Sequence, residues 1–181
     1  MERNPRGNPY GWRYYGQERP PFAVEPDPGQ ESAWDYPRPP RLDLDRREVV
    51  VRVGTVEVAR TRRAQRVLET ASPPTFYIPR ADVATEYLQP APGSSSCEWK
   101  GMARYWTVSV PPALLSAVGW SYDDPRPEFD PIRSHLSFYP ARIECYVDGI
   151  RVVRQPGGFY GGWITPDVVG PFKGDPGSSG W

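Results

Sequence analysis

The chain of 181 residues is 38% hydrophobic, carries 24 prolines and 17 glycines, and balances 22 basic residues with 22 acidic ones. Zero net charge offers no long-range field to a nucleic acid or an anionic membrane, and no apolar run approaches the roughly 18–20 residues that span a bilayer. The Arg/Pro-rich start lacks the apolar core of a signal peptide, so a soluble, cytoplasmic protein with reduced thiols is expected.

Proline and glycine are unevenly spread. Residues 1–47 hold nine prolines, and their eight arginines are cancelled by eight Asp or Glu residues. This reads as a Pro/Arg-rich N-terminal arm that does not bind polyanions. Residues 48–154 read as a β domain, and residues 155–181 as a Gly/Pro/aromatic C-terminal arm. Both arms are expected to lie outside the core.

Within the β domain, Val49, Val51 and Val53 share one face by period two, and Gly54-Thr55 turns the chain back toward Val56 and Val58. Val67-Leu68 leads into Glu69, and Pro73-Pro74 prevents a helix there. Thr75–Ile78 is a short strand of β-formers closed by Pro79. Asp82 is placed to cap a short helix through Leu88, and Pro90–Ser96 reads as a polar loop.

Arg104–Val110 alternates, with Trp106, Val108 and Val110 on an apolar face and Tyr105, Thr107 and Ser109 opposite. Pro111–Val118 suits one or two helical turns, and Trp120-Ser121-Tyr122 a short extended piece. His135–Tyr139 is a strand before Pro140. The pair Asp148-Gly149 suits a type I′ turn, opposing Val147 to Ile150 and Cys145 to Val152. Ile143, Cys145, Val147, Ile150 and Val152 then form one apolar face. The fold class is mainly β: a compact antiparallel sheet or barrel-like domain with one or two short helices.

The chemical signal concentrates in Cys97-Glu98-Trp99-Lys100-Gly101. Only Lys100 and Lys173 of the 22 basic residues are lysines. Lysine is a compact titratable ammonium that steers anions or, when buried, acts as a nucleophile; the plain alternative is a surface lysine beside a turn glycine. Lys100 is not followed by the residue-Asp-Gly string of covalent nucleotidyl-transfer ligases. Cys97 beside Lys100 is a candidate thiolate, with His135 its candidate base. Glu69 and Arg80 bracket one strand and read first as an ion pair. A single histidine and two distant thiols do not supply a zinc site, so no metal is expected. Gly157–Trp163 lacks the Lys-Ser/Thr of a phosphate loop and reads as an arm laid on the body or on a neighbouring subunit.

Val67-Leu68-Glu69-Thr70, Tyr77-Ile78-Pro79-Arg80, Cys97–Gly101, Ala103–Trp106, Trp120-Ser121-Tyr122 and Phe138-Tyr139 together resemble the bacterial domain of unknown function 427 family, which carries a nucleotidyltransferase-like label. The resemblance covers about residues 49–148. It implies a compact β domain, no established reaction and no named cofactor. Gly93-Ser94 is followed by Ser95-Ser96-Cys97 rather than by magnesium-holding acids, so the label is discounted. On the family's motif positions, Glu69, Tyr77, Arg80, Cys97, Lys100, Tyr105, Trp120 and Tyr122 form a candidate cleft. Lys100 and Arg80 would hold negative charge, Glu69 and Tyr77 would orient, and Trp120 and Tyr122 would stack against a small polar or anionic, nucleotide-like ligand. The rival reading is a non-catalytic assembly module that forms homo-oligomers through its aromatic tails. Single-stranded RNA is a weaker third, opposed by the zero net charge.

Overall fold

Asp148 and Gly149 both adopt positive φ, 46° and 76°, the pair of left-handed conformations that a type I′ turn requires. A Cβ is tolerated at Asp148, where the short polar side chain accepts a hydrogen bond from the Glu48 amide at 2.8 Å. The hairpin pairs Val147 with Ile150, as its two-residue loop predicts.

A computed structural model describes residues 11–181. Fifteen strands follow in chain order: β1 (Glu31–Ser32), β2 (Arg41–Asp45), β3 (Val49–Val53), β4 (Val56–Thr61), β5 (Ala64–Leu68), β6 (Thr75–Tyr77), β7 (Leu88–Cys97), β8 (Gly101–Val110), β9 (Ala113–Ser121), β10 (Leu136–Phe138), β11 (Glu144–Val147), β12 (Ile150–Arg151), β13 (Val153–Arg154), β14 (Trp163–Ile164) and β15 (Val168–Val169). They form two four-stranded sheets, β10-β9-β8-β7 and β12-β11-β3-β4, a three-stranded sheet β2-β5-β6, and the pairs β1-β15 and β13-β14. Among the strands of the described residues, only β1 and β15 pair in parallel. The fold is mainly β, and none of these sheets closes into a barrel. No helix of the described residues is long and apolar enough to cross a membrane.

The main core lies where the two larger sheets and β6 meet. Val49, Val51, Phe76, Val108, Val118, Leu136 and Phe138 are fully buried there, with Cys145 as a small core residue among them. Each such aliphatic or aromatic side chain contributes about 1.5–3 kcal/mol by burial. A second cluster, built on Tyr77, Trp99, Trp120, Tyr122, Phe129 and Ile132, packs beside the cavity described below.

Several sequence expectations need correction. Pro90–Ser96 is not a loop: it is most of β7, paired with β8 through a bulge between Ala91 and Ser94. Pro111–Val118 is not helical; Pro111 and Pro112 turn the chain directly into β9. The helix expected after Asp82 is replaced by two 3₁₀ turns, Arg80–Asp82 and Thr85–Tyr87. Asp82 caps neither, because its carboxylate accepts from Thr61 and Arg63 instead. Ile150 is 51% exposed rather than part of the core face, because β12 leaves its partner after Arg151 and Val153–Arg154 pair with β14.

The expected arms also contribute to the body. Residues 1–10 of the N-terminal one lie outside the described residues. Beyond them, β2 pairs along β5, and Trp34 is fully buried with its Nε1 donating to the Pro171 carbonyl at 3.1 Å. Trp163 of the C-terminal segment sits in the main core.

At the end of β2, Asp45 is 6% exposed and receives the Arg47 guanidinium at 2.7 Å and Arg66 at 3.4 Å. Burial opposes its charge, but hydrogen bonds from Arg47 and the charges of both arginines outweigh it and hold the carboxyl below its ordinary 3.8. A lowered folded pKa gives stability that is present above the unfolded value and lost as pH falls through the folded one. Asp45→Asn should therefore cost about 3 kcal/mol at neutral pH, the scale for breaking a buried pair. The deficit should shrink below about pH 4 as wild type loses the same charge. Urea unfolding of both proteins at neutral and acid pH checks this; an equal deficit at both would show that the charge is not what holds the strand.

Candidate functional site

Strand β9 and the residue after it present Trp120 and Tyr122, and β6 ends on Tyr77. These three rings are 7%, 5% and 1% exposed. Trp120 Nε1 donates to Tyr77 Oη at 3.2 Å, the two rings meet edge to face at 6.2 Å, and Tyr139 packs on Trp120 at 4.4 Å. The tight turn between β7 and β8 places Cys97, Glu98, Trp99 and Lys100 along one side. Gly101 takes φ +101° immediately after, a conformation that a side chain would strain, while Arg126 N donates to the Lys100 carbonyl at 3.1 Å. Tyr105 in β8 donates to Ser95 Oγ of β7 at 2.7 Å. Glu69 follows β5 on the other side.

These surfaces enclose a cavity of about 260 Å³. The structure brings seven of the eight sequence candidates to it: Glu69, Tyr77, Cys97, Lys100, Tyr105, Trp120 and Tyr122. Arg80 is excluded, since it is exposed and lies over the Trp106 ring at 5.0 Å. The Glu69–Arg80 ion pair does not form either. Glu69 instead accepts from Arg38 Nε at 3.0 Å. His135 is not on the cavity; its Nδ1 lies 3.1 Å from the Arg133 carbonyl oxygen.

Sequence reasoning missed the remaining side of the cavity, which comes from both ends of the described chain. Trp12, Gln155, Tyr160 and Lys173 line it. Lys173 is anchored through its backbone, its amide donating to the Ala71 carbonyl at 2.7 Å and its own carbonyl accepting from Gln155 Nε2 at 2.8 Å. Gln155 Oε1 also accepts from the Gly162 amide at 3.0 Å, holding the glycine-rich return against the body. A Cβ at Gly161 would collide with the Trp120 ring, so this return passes the cavity wall only as glycine. The signal for Lys173 was present in the sequence: the lysine scarcity that marked Lys100 applied to it equally.

Both lysines of the chain thus line one cavity, Lys100 9% and Lys173 7% exposed. Every ion pair among the described residues is made by an arginine, and none involves either lysine. Their surroundings differ. Lys100 sits beside Cys97 with its Nζ 5.7 Å from the Tyr122 ring centre; burial opposes its charge, but Tyr77, Cys97 and Glu69 outweigh burial and hold its pKa above the ordinary lysine value. Lys173 is pushed below that value, first by burial and then by the Arg38 charge, against the opposing pull of Glu69 and Glu98. Burial raises the Tyr77, Tyr122 and Tyr139 hydroxyls, which keeps them as protonated donors. Among the described residues no group of three or more His, Cys, Asp or Glu side chains could hold a metal ion.

The architecture and the cavity define a small, mainly β domain with an aromatic chamber carrying lysine ammonium groups and phenol donors. Residues 41–149 match the family model described as Domain of unknown function (DUF427), and the chain belongs to that family. The matched stretch holds Lys100 and the aromatic floor, whereas Trp12 and Lys173 lie outside it. Curated proteins give no match to this chain.

Proposed function

We propose that the cavity binds a small anionic molecule with a planar or ring-shaped body. The observation that supports this is the meeting of both lysines in one aromatic chamber, with neither in a salt bridge to a carboxylate side chain among the described residues. Buried cations are ordinarily paired, and a ligand carboxylate or phosphate would complete them. The tyrosine hydroxyls add donors to the same anion, while Trp120 and Tyr122 give its ring an apolar surface. A volume of about 260 Å³ lies under the roughly 300–1,000 Å³ of drug-sized pockets, which favours a single ring with one acidic group over a full nucleotide. Of the terminal aromatics, Trp34, Trp163 and Trp181 are engaged within the chain itself, whereas Phe22 and Phe159 stay exposed.

The test is a melting-temperature screen of the purified chain against benzoate and phenyl phosphate. Ligand at a hundred times its Kd adds about 2.7 kcal/mol, or roughly 5–10 °C for a domain of this size. Lys100→Met should abolish the shift; because its surroundings hold the Lys100 ammonium above the ordinary lysine value, the variant should also lose some stability at neutral pH, and near-ultraviolet circular dichroism checks that it stays folded. A full shift retained by Lys100→Met would sink the reading.

A further inference from the structure

The two lysines are placed for different work. Resting on the reading of the cavity as a ligand site, we propose that Lys173 forms an imine with its ligand, and that the ligand class is a small oxo acid. Its acidic group would be held by Lys100 and its carbonyl carbon presented to Lys173 Nζ.

The geometry sets Lys173 apart. Its Nζ lies 4.2 Å from the centre of the Trp12 ring, and the Arg38 guanidinium lies 4.3 Å from the centre of the same ring. Two cations therefore share one half-buried aromatic. The Tyr160 ring stands 5.8 Å away, and the amine donates to the main-chain oxygen of Trp181, the last residue of the sequence, at 3.5 Å, the outer limit for such a bond. Charged and titratable groups acting on it are Arg38, Glu69 and Glu98, with Tyr160 alongside. Glu69 is already engaged by Arg38. Burial beside a like charge is the setting that makes a lysine give up its proton more readily and so act as a nucleophile. Lys100 has the opposite setting, a thiol, two phenols and the Glu69 side of the cavity, and stays an ammonium. Environments that push two like groups apart assign them different roles in one reaction. The backbone hydrogen bonds on both sides of Lys173 fix where its amine is delivered.

The step balances without an oxidant or reductant. The neutral amine attacks the carbonyl carbon, forming the C–N bond and moving the carbonyl electron pair onto oxygen, which is protonated to a carbinolamine. That oxygen then leaves as water and C=N forms. Counted from the ammonium, Lys-NH₃⁺ and the carbonyl give the protonated imine and one water, with no net proton exchanged. The protonated tyrosine hydroxyls are the donors available to the departing oxygen.

With only two lysines in the chain, reductive trapping reads the site directly. The full chain is incubated with 4-carboxybenzaldehyde and sodium cyanoborohydride, and the adduct is mapped by peptide mass. One adduct on Lys173 is expected, about tenfold or more ahead of Lys100 and the N-terminal amine, because a carboxylate held at Lys100 presents the aldehyde carbon to Lys173. Lys173→Arg should retain the fold by near-ultraviolet circular dichroism and lose the adduct. Lys100→Met should lower the ratio of 4-carboxybenzaldehyde to benzaldehyde trapping by about tenfold, about 1.4 kcal/mol of lost binding energy. Adducts on Lys100 or the N-terminus equal to that on Lys173 overturn the proposal, as does equal trapping of the two aldehydes by wild type. If benzoate shifts the melting temperature through Lys100 but nothing is trapped on Lys173, the imine fails and the binding site stands. If neither occurs, both fail.

Discussion

Replacing Trp163 with alanine should destabilise the protein by about 3–5 kcal/mol, the range for deleting a fully buried large aromatic, and lower its melting temperature by roughly 6–20 °C. The side chain is 0% exposed and stacks on Phe76 at 5.0 Å with an interplanar angle of 24°. Its Nε1 donates to the Phe138 carbonyl at 2.9 Å, so truncation would empty a space between β6 and β10 and also leave a buried carbonyl without its donor. The main-chain amide of Trp163 bonds the Pro74 carbonyl at 2.8 Å, which ties the return from the cavity to the core. Phe159, four residues earlier and 75% exposed, is the control; its alanine variant should stay within about 0.5 kcal/mol of wild type. Chemical denaturation of the two variants separates the cases. A Trp163→Ala protein as stable as Phe159→Ala would mean that residues 155–181 behave as a detachable arm after all.

The parts of this fold legible in the sequence are those where local chemistry and tertiary pairing agree. Val49, Val51 and Val53 alternate because one face of β3 is buried, and Asp148-Gly149 carries its turn geometry in its own residue types. Strand β7 was hidden for a physical reason. Pro90, Pro92, Gly93 and three serines are poor strand formers, but β7 is an edge strand, where a missing amide on the open side breaks no ladder bond. The bulge between Ala91 and Ser94 absorbs Gly93 at φ +89°. Pro111–Val118 is a short apolar run, which periodicity does not separate into helix or strand; pairing with β8 decides it. The site was legible where motif residues sit at strand ends that the sheets bring together, as with Tyr77, Lys100 and Trp120. Arg80 failed because it begins a 3₁₀ turn and finds Trp106 instead. Lys173 and Trp12 were missed because Gly/Pro-rich termini read as arms, and only tertiary packing turns them into a wall.

Arg38→Met should be comparably severe and should reach the cavity as well. The Arg38 side chain is 0% exposed and places donors on Glu69 Oε1 at 3.0 Å, the Tyr14 carbonyl at 2.8 Å and the Thr70 carbonyl at 2.9 Å. Removing one partner of a fully buried pair costs about 3–5 kcal/mol, because the other charge stays behind uncompensated; with the Glu69 side chain 22% exposed, the lower end of that range is expected. Here that charge is Glu69, which lines the same cavity as both lysines. Freed from Arg38, its carboxylate becomes an internal competitor with the ligand anion for the lysine ammonium groups. Benzoate should then bind roughly tenfold or more weakly, a loss of about 1.4 kcal/mol or more. Arg38→Met combined with Glu69→Leu should recover part of both losses, since removing the two charges together leaves no unpaired carboxylate. Urea unfolding and benzoate titration of the two single variants and the double measure this coupling. If the double variant is no more stable and binds benzoate no better than Arg38→Met alone, Glu69 is not what Arg38 restrains, and the cation balance of the cavity rests on Lys100 and Lys173 without it.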